Sequence, residues 1–436
     1  MFFDPNVSVI IAVLLLAGLI ALRAPLFVAL GFGGFVGLYL LQGMTGLAQI
    51  PLTLTGQLAN FTLTAIPLYI LMGEVLSVTG LGRDLFETGY KWLHRVPGSL
   101  GTASVSASAM FGAMSGVSLS GVAVVGRMAV PAMLSRGYSP SFATGSVVAP
   151  GALAMLIPPS LPFILYSAIT GVSVAKLFAG GVVPGVLLAL LMGTYIVVQA
   201  TRRPELAPRT GEHISWAEKF GSLGRIMPAI VLILLVLGSM YTGIATPTEA
   251  AAVGAFGAFV IGGLIYRTLT RENLKRILVA TTQVSCSMLA IVAAAFVFTK
   301  VLVNARVPEH MTSFVAGLDM PAYLVMLAIM LVLVALGCLV DAASLLLVVT
   351  PVLVPVVIEL GYSPLWFGVL LVMNLEMAVI TPPVGLNLYA MKSVVPDLQL
   401  TDIIRGIWPY LFLELGFLML MMAIPEISLW LPGTLE

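Results

Sequence analysis

The sequence predicts an all-α integral membrane protein built from two inverted repeats, with about 10 membrane crossings and two re-entrant helical hairpins. Of its 436 residues, 60% are hydrophobic and only 9% are charged, which excludes an ordinary soluble protein. A segment in the middle of the chain also occurs twice: residues 131–140 read PAMLSRGYSP and residues 355–364 read PVVIELGYSP, 224 positions later. Finally, a Pro-Pro pair interrupts one apolar segment in each half, and a continuous helix does not tolerate such a pair.

The repeat extends over more than fifty residues. Its shared landmarks are the Pro-Pro pairs at 158–159 and 382–383 and, with one residue of slippage, the G-x-x-P motifs at 181–184 and 406–409. In an apolar chain, duplicated halves with paired Gly/Pro interruptions indicate a transporter whose binding site lies at those interruptions.

Run length predicts eight uninterrupted spans, near residues 5–22, 25–42, 61–80, 179–199, 227–246, 250–267, 277–302 and 406–425. Two further crossings, 141–175 and 365–391, contain the Pro-Pro pairs and are predicted to be broken helices. The segments 97–136 and 321–360 are too long for one span and too rich in Gly, Ser or Asp for two. Each is therefore predicted to be a re-entrant hairpin of two half-helices.

These elements predict five consecutive parts of the chain. They are N-terminal scaffold helices in 1–60, a first repeat in 61–199, a polar linker in 200–226, further scaffold helices in 227–276 and a second repeat in 277–436. The linker is predicted to contain a helix lying on the cytoplasmic interface.

The distribution of basic residues predicts the orientation. If both hairpins enter and leave on one side, that side holds 16 of the 20 Lys and Arg residues. The positive-inside rule makes it cytoplasmic and places both termini in the periplasm. Five crossings, an odd number, then separate Pro140 from Pro355, so the second repeat is inverted relative to the first.

The interruptions carry the candidate binding groups. The first hairpin contains FGAMSGVSLSG at 111–121, where a turn would free backbone groups to bind a small ion, although close helix packing is the alternative. A Pro-Pro pair alone can be a simple kink, but its repetition beside a hairpin favours a binding site.

Four polar residues are predicted to lie within the membrane. Arg127 in the first hairpin can bind a carboxylate or serve as a structural arginine. Asp341 in the second hairpin can ligate a cation or cap a half-helix. Asn374 is a candidate ligand before the second Pro-Pro pair, and Glu376 is a candidate structural pair. Outside these, Glu249 is predicted to cap a helix with Thr246.

Several function classes find no support in the sequence. It contains no phosphate-binding loop, no HExxH motif and no paired catalytic carboxylates, so no enzyme activity and no cofactor are predicted. The three histidines and two cysteines are isolated, which predicts no transition-metal site. No basic patch with interleaved aromatic residues suggests nucleic-acid binding.

At the level of motifs, the chain resembles the large membrane subunit of TRAP transporters, the tripartite ATP-independent periplasmic transporters. The resemblance rests on FGAMSG at 111–116, LIPPS at 156–160, ATPTEAAAVGA at 245–255, GYSP at 361–364 followed by FGV, and TPPVG at 381–385. It implies a multi-pass protein of the bacterial inner membrane with an ion-transporter-type fold and a Na⁺-driven elevator mechanism. It also implies a small four-helix membrane subunit, a periplasmic substrate-binding protein and surrounding membrane lipid as partners, and a carboxylate-bearing organic anion as substrate.

The resemblance further implies two Na⁺ sites and a substrate site between them. The first Na⁺ site would draw on Ser115, Gly116, Ser118, Gly151 and Pro158. The second would draw on Gly337, Asp341, Asn374, Thr381, Pro382 and Val384. The substrate would lie near Arg127, Ser160, Ser344 and Asn387.

Three alternatives to a binding-protein-dependent transporter remain open. A self-sufficient inverted-repeat symporter would share the architecture but transport free substrate alone. A membrane enzyme should display an embedded nucleophile with its base, and a channel normally places its pore on a symmetry axis between subunits. Neighbouring genes for a solute-binding protein and a short four-span protein would distinguish the first alternative.

Overall fold

The computed structural model describes residues 3–209, 213–317 and 320–435, and every regular element in those ranges is a helix. The prediction of an all-α protein is confirmed. The helices of the first half are α1 Pro5–Ala21, α2 Leu26–Gln42, α3 Met44–Leu47, α4 Gln49–Leu58, α5 Ala65–Ser77, α6 Leu81–Leu93, α7 Ser99–Ser115, α8 Ser118–Leu134, α9 Pro140–Ala152, α10 Leu161–Thr170 and α11 Val174–Arg202.

The second half continues after the polar linker. Its helices are α12 Trp216–Tyr241, α13 Pro247–Val260, α14 Arg271–Asn304, α15 Val307–Ala316, α16 Ala322–Gly337, α17 Ala342–Glu359, α18 Pro364–Ile380, α19 Leu386–Val394, α20 Leu400–Ala423 and α21 Glu426–Gly433. Short 3₁₀ turns precede α5 and follow α9, and a π-helical turn at Ile261–Ile265 extends α13.

Six helices of the described chain combine the length and hydropathy needed to cross a bilayer, or seven if the bent pair Met44–Leu58 and Phe61–Ser77 is one span. They are α11, α12, α13 with its π-helical turn, α14, α17 and α20. Helices α1 and α2 have 17 residues each, the lower limit for a crossing. The ten predicted crossings include α1, α2, α5 and the two broken helices besides five of these six, and they leave out α17, which the sequence places in the second hairpin.

Each half presents the same succession of elements. In the first half, α7 and α8 form the first hairpin, α9 and α10 the first broken helix, and α11 follows. In the second half, α16 and α17 form the second hairpin, α18 and α19 the second broken helix, and α20 follows. The peptide bonds Pro158-Pro159 and Pro382-Pro383 at the two breaks are both cis. The hairpin arms contain 16 to 18 residues each and lie within the predicted segments 97–136 and 321–360.

The capping interaction predicted at the start of α13 is present. The Thr246 hydroxyl accepts a hydrogen bond from the backbone N–H of Glu249 at 3.3 Å. In return, the Glu249 carboxylate accepts one from the Thr246 N–H at 2.8 Å. Two backbone donors that have no partner within the helix are therefore satisfied.

The structure differs from the sequence prediction in the polar segments. Helix α12 begins at Trp216 and continues through the apolar span, so the second part of the linker is not a separate interfacial helix. Helices α4, α6, α15 and α21 were not predicted. They have only 8 to 13 residues each, so they are too short to be recognised as membrane spans from the sequence.

Two glycines allow the halves to pack closely. Gly145 of α9 and Gly406 of α20 face each other, and a Cβ atom on either would overlap backbone of the other helix. The first broken helix and the long helix after the second broken helix are therefore joined at backbone contact. This contact helps to position the two breaks around one centre.

Candidate functional site

The turn of the first hairpin lies against the first break. Helix α7 ends at Ser115, and Gly116 continues in the left-handed conformation with φ +61°. Its N–H donates to the carbonyl of Gly112 at 2.9 Å, which closes the helix end. A Cβ atom on Gly116 would lie 2.7 Å from the carbonyl oxygen of Pro159. Glycine is therefore required both by the turn and by the approach to the break.

The first break is buried. Pro158 and Ser160 are both inaccessible, and the Ser160 hydroxyl donates to the carbonyl of Met155, which the break leaves free. Gly151, predicted to contribute to the first Na⁺ site, packs instead against Val122 of α8 with no room for a side chain. Its observed contact is thus helix packing, and its part in ion binding stays a prediction.

Asp341 performs one of its two predicted roles and retains capacity for the other. Its Oδ2 atom caps α17 by accepting from the N–H groups of Ala343 at 3.1 Å and Ser344 at 3.3 Å. Its Oδ1 atom and the Ser344 hydroxyl are buried without a hydrogen-bond partner in the described chain. Two unpartnered oxygens beside a turn suit an alkali cation, which takes oxygen ligands.

The second break is more open than the first. Pro382 and Val384 are half-buried, whereas their counterparts Pro158 and Ser160 are buried; Thr381 is half-buried, like its counterpart Ile157. The Thr381 hydroxyl donates to the carbonyl of Met377 at 2.6 Å. Val384 occupies the position that corresponds to Ser160, which suggests that the two breaks differ. In the structure they differ in exposure.

Asn374 and Gly337 join the second hairpin to the second broken helix. The Asn374 amide donates to the carbonyl of Met330 in α16 at 2.8 Å, and its oxygen is buried without a partner among the described residues. Gly337 packs on Ala378, where a Cβ would lie 2.6 Å from the Ala378 Cβ. Asn374 precedes Thr381 by seven residues, about 10 Å of helix, so these two predicted ligands are not brought together along α18.

Glu376 has a neighbour of the same charge type. Its carboxyl and that of Glu414 in α20 are fully buried, and all four oxygens lack hydrogen-bond partners within the described ranges. The two residues lie in helices that pack against each other, α18 and α20. No cation pairs with Glu376 in this part of the structure, so the structural pair expected from the sequence is absent.

The hairpin turns and the breaks together enclose a central cavity of about 130 Å³. Both halves contribute to it, and Met288 of α14 completes one wall. The cavity is lined by the first turns of four helices: Ser118 and Leu119 of α8, Leu161 and Pro162 of α10, Ala342 and Ala343 of α17, and Leu386 and Asn387 of α19. No Lys, Arg, Asp or Glu is among its described lining residues.

Four helix N-termini thus converge on one small space. A helix N-terminus carries partial positive charge and unpaired N–H groups, which favour an anion. In α17 the Asp341 carboxylate satisfies those groups. At the described starts of α8, α10 and α19 no side chain caps the helix. The sequence indicates the breaks but not this convergence. The signals for it in the sequence are Pro162, the second residue of α10, and Asp341, which caps α17.

Two predicted site residues meet inside this cavity. Ser118 from the first hairpin and Asn387 from the second broken helix are both buried. The Ser118 hydroxyl lies 2.8 Å from Asn387 Oδ1 and 2.6 Å from Asn387 Nδ2. The resemblance implies a cation site for Ser118 and the substrate site for Asn387, and the structure places the two side chains side by side.

Arg127 lies elsewhere in this structure. It is exposed and follows Ser118 by nine residues, about 13 Å along α8. It lines a separate cleft of about 300 Å³ between the first hairpin and α5, α6 and α14, together with Glu74, Arg83 and Arg276. The prediction that Arg127 faces the space between the hairpin turns and breaks does not agree with this position. Hydropathy gives a residue's depth but not the side of the helix on which it lies.

Comparison with known proteins identifies related sequences over most of the chain. The sequence profile described as "Tripartite ATP-independent periplasmic transporter, DctM component" matches residues 13–427. The C4-dicarboxylate TRAP transporter large permease protein DctM of Pseudomonas aeruginosa is 35% identical over 86% of this chain and 87% of its own length. The sialic acid TRAP transporter large permease protein SiaM of Vibrio cholerae is 30% identical over 96% of each chain.

One longer relative and two solved structures complete the comparison. The isethionate TRAP transporter permease protein DctMQ of Oleidesulfovibrio alaskensis is 31% identical over 91% of this chain but only 63% of its own length. The fold is similar to that of the YdaH transporter of Alcanivorax borkumensis, with TM-score 0.59, 17% identity and coverage of 90% of this chain and 91% of the other. It is similarly close to MtrF of Neisseria gonorrhoeae, with TM-score 0.59, 14% identity and coverage of 89% and 84%.

Proposed function

The chain belongs to the family of DctM components of tripartite ATP-independent periplasmic transporters, and from this we propose that it imports a carboxylate-bearing organic anion across the bacterial inner membrane by Na⁺-coupled transport. It is a multi-pass transport protein rather than an enzyme. The observation that carries the proposal is the convergence of four helix N-termini on the central cavity.

An anion suits this cavity for an electrostatic reason. Three of the four helix starts have no side-chain cap, so their N–H groups are available to a ligand. A carboxylate accepts several such hydrogen bonds and is stabilised by the positive ends of the helix dipoles. The paired Ser118 and Asn387 side chains add donors and acceptors that orient it. Arg127 is not needed for this binding mode.

Na⁺ coupling is supported by unpartnered oxygens beside the cavity. Asp341 Oδ1 and the Ser344 hydroxyl lie at the start of α17. The two residues between them in the sequence, Ala342 and Ala343, line the cavity. A cation held there would offset the negative charge of Asp341 and so favour the anion nearby. This arrangement links binding of the two ions without direct contact between them.

We further propose that transport is of the elevator type. The hairpins and broken helices form the mobile body, and α20 belongs to it because of the Gly145–Gly406 contact. The remaining spans form a scaffold, from which Met288 reaches the cavity wall. A cavity at the boundary between the two bodies is the position that alternating access by rigid-body movement requires.

The partners are proposed from the family. A tripartite system contains two components besides this one, which we infer to be a small four-helix membrane subunit and a periplasmic substrate-binding protein. The longer relative DctMQ supports the first, because about a third of its length lies outside the match to this chain. Both termini of the present chain are proposed to be periplasmic, from the distribution of Lys and Arg.

The test is uptake into proteoliposomes containing the chain, the small subunit and the binding protein encoded beside it. Uptake of labelled C4-dicarboxylate or sialic acid should require an inward Na⁺ gradient and the binding protein. Equal uptake with K⁺ replacing Na⁺ would exclude Na⁺ coupling. Full uptake by the chain alone would indicate the self-sufficient symporter.

A further inference from the structure

Another polar cavity lies beside the start of the first broken helix. It has a volume of about 520 Å³ and is formed by the start of α9, the end of α11 and the first turns of α20. It shares no described lining residue with the central cavity. The repeated G-x-x-P motif of the second half contributes Gly406 and Pro409 to its wall, although the transport site makes no use of that motif.

The polar groups of this cavity are free to bind. Arg203 and Arg405 both line it, and neither guanidinium has a hydrogen bond or ion pair with the described residues. Gln199 and Tyr195 stand beside them. Tyr410 also lines the cavity, and its buried hydroxyl has no hydrogen-bond partner within the described chain. Two cations and several neutral donors around one space indicate an anionic ligand with several oxygens, such as a phosphate.

The apolar part of the cavity indicates that the phosphate belongs to a lipid. Trp408 and Phe412 line it, stack with ring centroids 6.1 Å apart, and are 48% and 67% exposed on α20. Exposed aromatic side chains on a spanning helix face the bilayer, and Trp marks the level of the headgroups. Arg203 lies one residue beyond the end of α11 and Arg405 in the first two turns of α20, both on the side predicted to be cytoplasmic. Basic pockets between spanning helices on that side suit anionic headgroups.

We propose that this cavity binds the phosphate headgroup of an anionic phospholipid of the cytoplasmic leaflet, with Arg203 and Arg405 as the binding cations and the Trp408–Phe412 face against its acyl chains. The lipid would fill the space between α11 and the pair α9 and α20, which are in contact at Gly145 and Gly406. The proposal does not depend on the transported substrate. It can therefore succeed or fail independently of the transport function.

The first test measures thermal stability of the full purified chain in detergent with added lipid. Phosphatidylglycerol should raise the melting temperature more than phosphatidylcholine does, and inorganic phosphate should have no effect. The double variant Arg203→Gln/Arg405→Gln should bind phosphatidylglycerol about 30-fold more weakly, since each basic residue at an anionic lipid contributes about fivefold. The matched control is Arg202→Gln/Arg209→Gln, in the same segment but outside the cavity, which should keep the full response.

A second measurement does not depend on the folding of the arginine variants. The fluorescence of Trp408 is the difference between the wild-type chain and Trp408→Phe. Phosphatidylglycerol with brominated acyl chains should quench this fluorescence more strongly than brominated phosphatidylcholine does. Equal quenching by both lipids would overturn the proposal. Equal stabilisation by inorganic phosphate would also overturn it, because it would indicate a site for a free anion. Loss of the lipid response when the small subunit is added would overturn it as well, because it would indicate a protein interface.

Discussion

The hydroxyl of Ser118 and the carboxamide of Asn387 are hydrogen-bonded to each other although 269 positions separate them in the chain. This pair joins the first hairpin to the second broken helix inside the central cavity. Since both side chains are buried, their donors and acceptors must be satisfied by each other or by a ligand. The pair is a direct contact between the two halves at the proposed transport site.

The first prediction concerns this pair. Ser118→Ala and Asn387→Ala should each lower uptake severalfold, because each removes a group that orients the substrate. In a double-mutant cycle the losses should not add, with a coupling of about 0.5–1.5 kcal/mol for one neutral hydrogen bond. Uptake kinetics at several substrate concentrations give the energies. Ser393→Ala, in the same helix but exposed, is the control and should be near wild type. Strictly additive losses would show that the two residues act independently.

The second prediction separates the two roles of Asp341. Asp341→Asn keeps an oxygen that can cap α17, so it should retain thermal stability while requiring more Na⁺ for half-maximal uptake. Asp341→Ala should show the same Na⁺ effect and an additional loss of about 0.5–2 kcal/mol from the missing cap. The measurements are melting temperature and the Na⁺ dependence of uptake. Unchanged Na⁺ dependence in both variants would leave Asp341 with the capping role alone.

The third prediction uses two glycines of similar backbone conformation. Gly116 and Gly171 have φ +61° and +74°, but only Gly116 approaches another segment, the carbonyl of Pro159. An alanine at either position incurs the left-handed penalty of about 1–2 kcal/mol. Gly116→Ala should additionally separate the first hairpin from the first break and abolish uptake. Gly171→Ala should transport at a rate close to that of the wild type, and equal effects would mean that the contact with Pro159 has no functional role.

The fourth prediction concerns Arg127. Arg127 lies in the cleft with Glu74 and Arg276, outside the central cavity. Arg127→Lys should therefore lower the maximal rate of uptake but change KM for the substrate by no more than about twofold. Loss of a direct contact worth about 1.4 kcal/mol would instead raise KM about tenfold. Arg95→Lys, also exposed and outside this cleft, provides the control. A large rise in KM would support the interpretation from sequence, in which the planar guanidinium binds the carboxylate.

The fifth prediction concerns topology. Single cysteines at His213 and Thr434, both exposed, are introduced after Cys286 and Cys338 are replaced by serine. A membrane-impermeant maleimide should label Thr434→Cys in intact cells and His213→Cys only after the inner membrane is permeabilised. Glu212 and Glu436, at which cysteines would test the same orientation, lie outside the described residues. Equal labelling of both cysteines in intact cells would contradict periplasmic termini.

The general plan of the fold was predictable because its signals are local. Pro158-Pro159 and Pro382-Pro383 mark the breaks, and the small residues at 115–118 mark the first hairpin turn. Helices α4, α6 and α15 are not predicted because they are shorter and less apolar than a membrane span. Their position depends on neighbours distant in sequence.

The site was predictable as a set of segments but not as a geometry. Asp341 was recognised as a cap or a ligand, and its cap is present. The pairing of Ser118 with Asn387 and the approach of Glu376 to Glu414 connect residues from different helices, which one sequence does not reveal. Arg127 was misplaced for the same reason, since the direction of a side chain around a helix depends on what packs beside it.

The contact between Gly145 and Gly406 has a consequence for the history of the chain. A side chain on either helix would force the backbones apart, so the mutual fit of α9 and α20 exists only when both halves are present. Gly406 corresponds to Gly181 of the first half in the repeated G-x-x-P motif, whereas the position that corresponds to Gly145 in the second half is Val369. Only the first half therefore has the glycine that this contact requires on its broken helix, so the two repeats have diverged at this position.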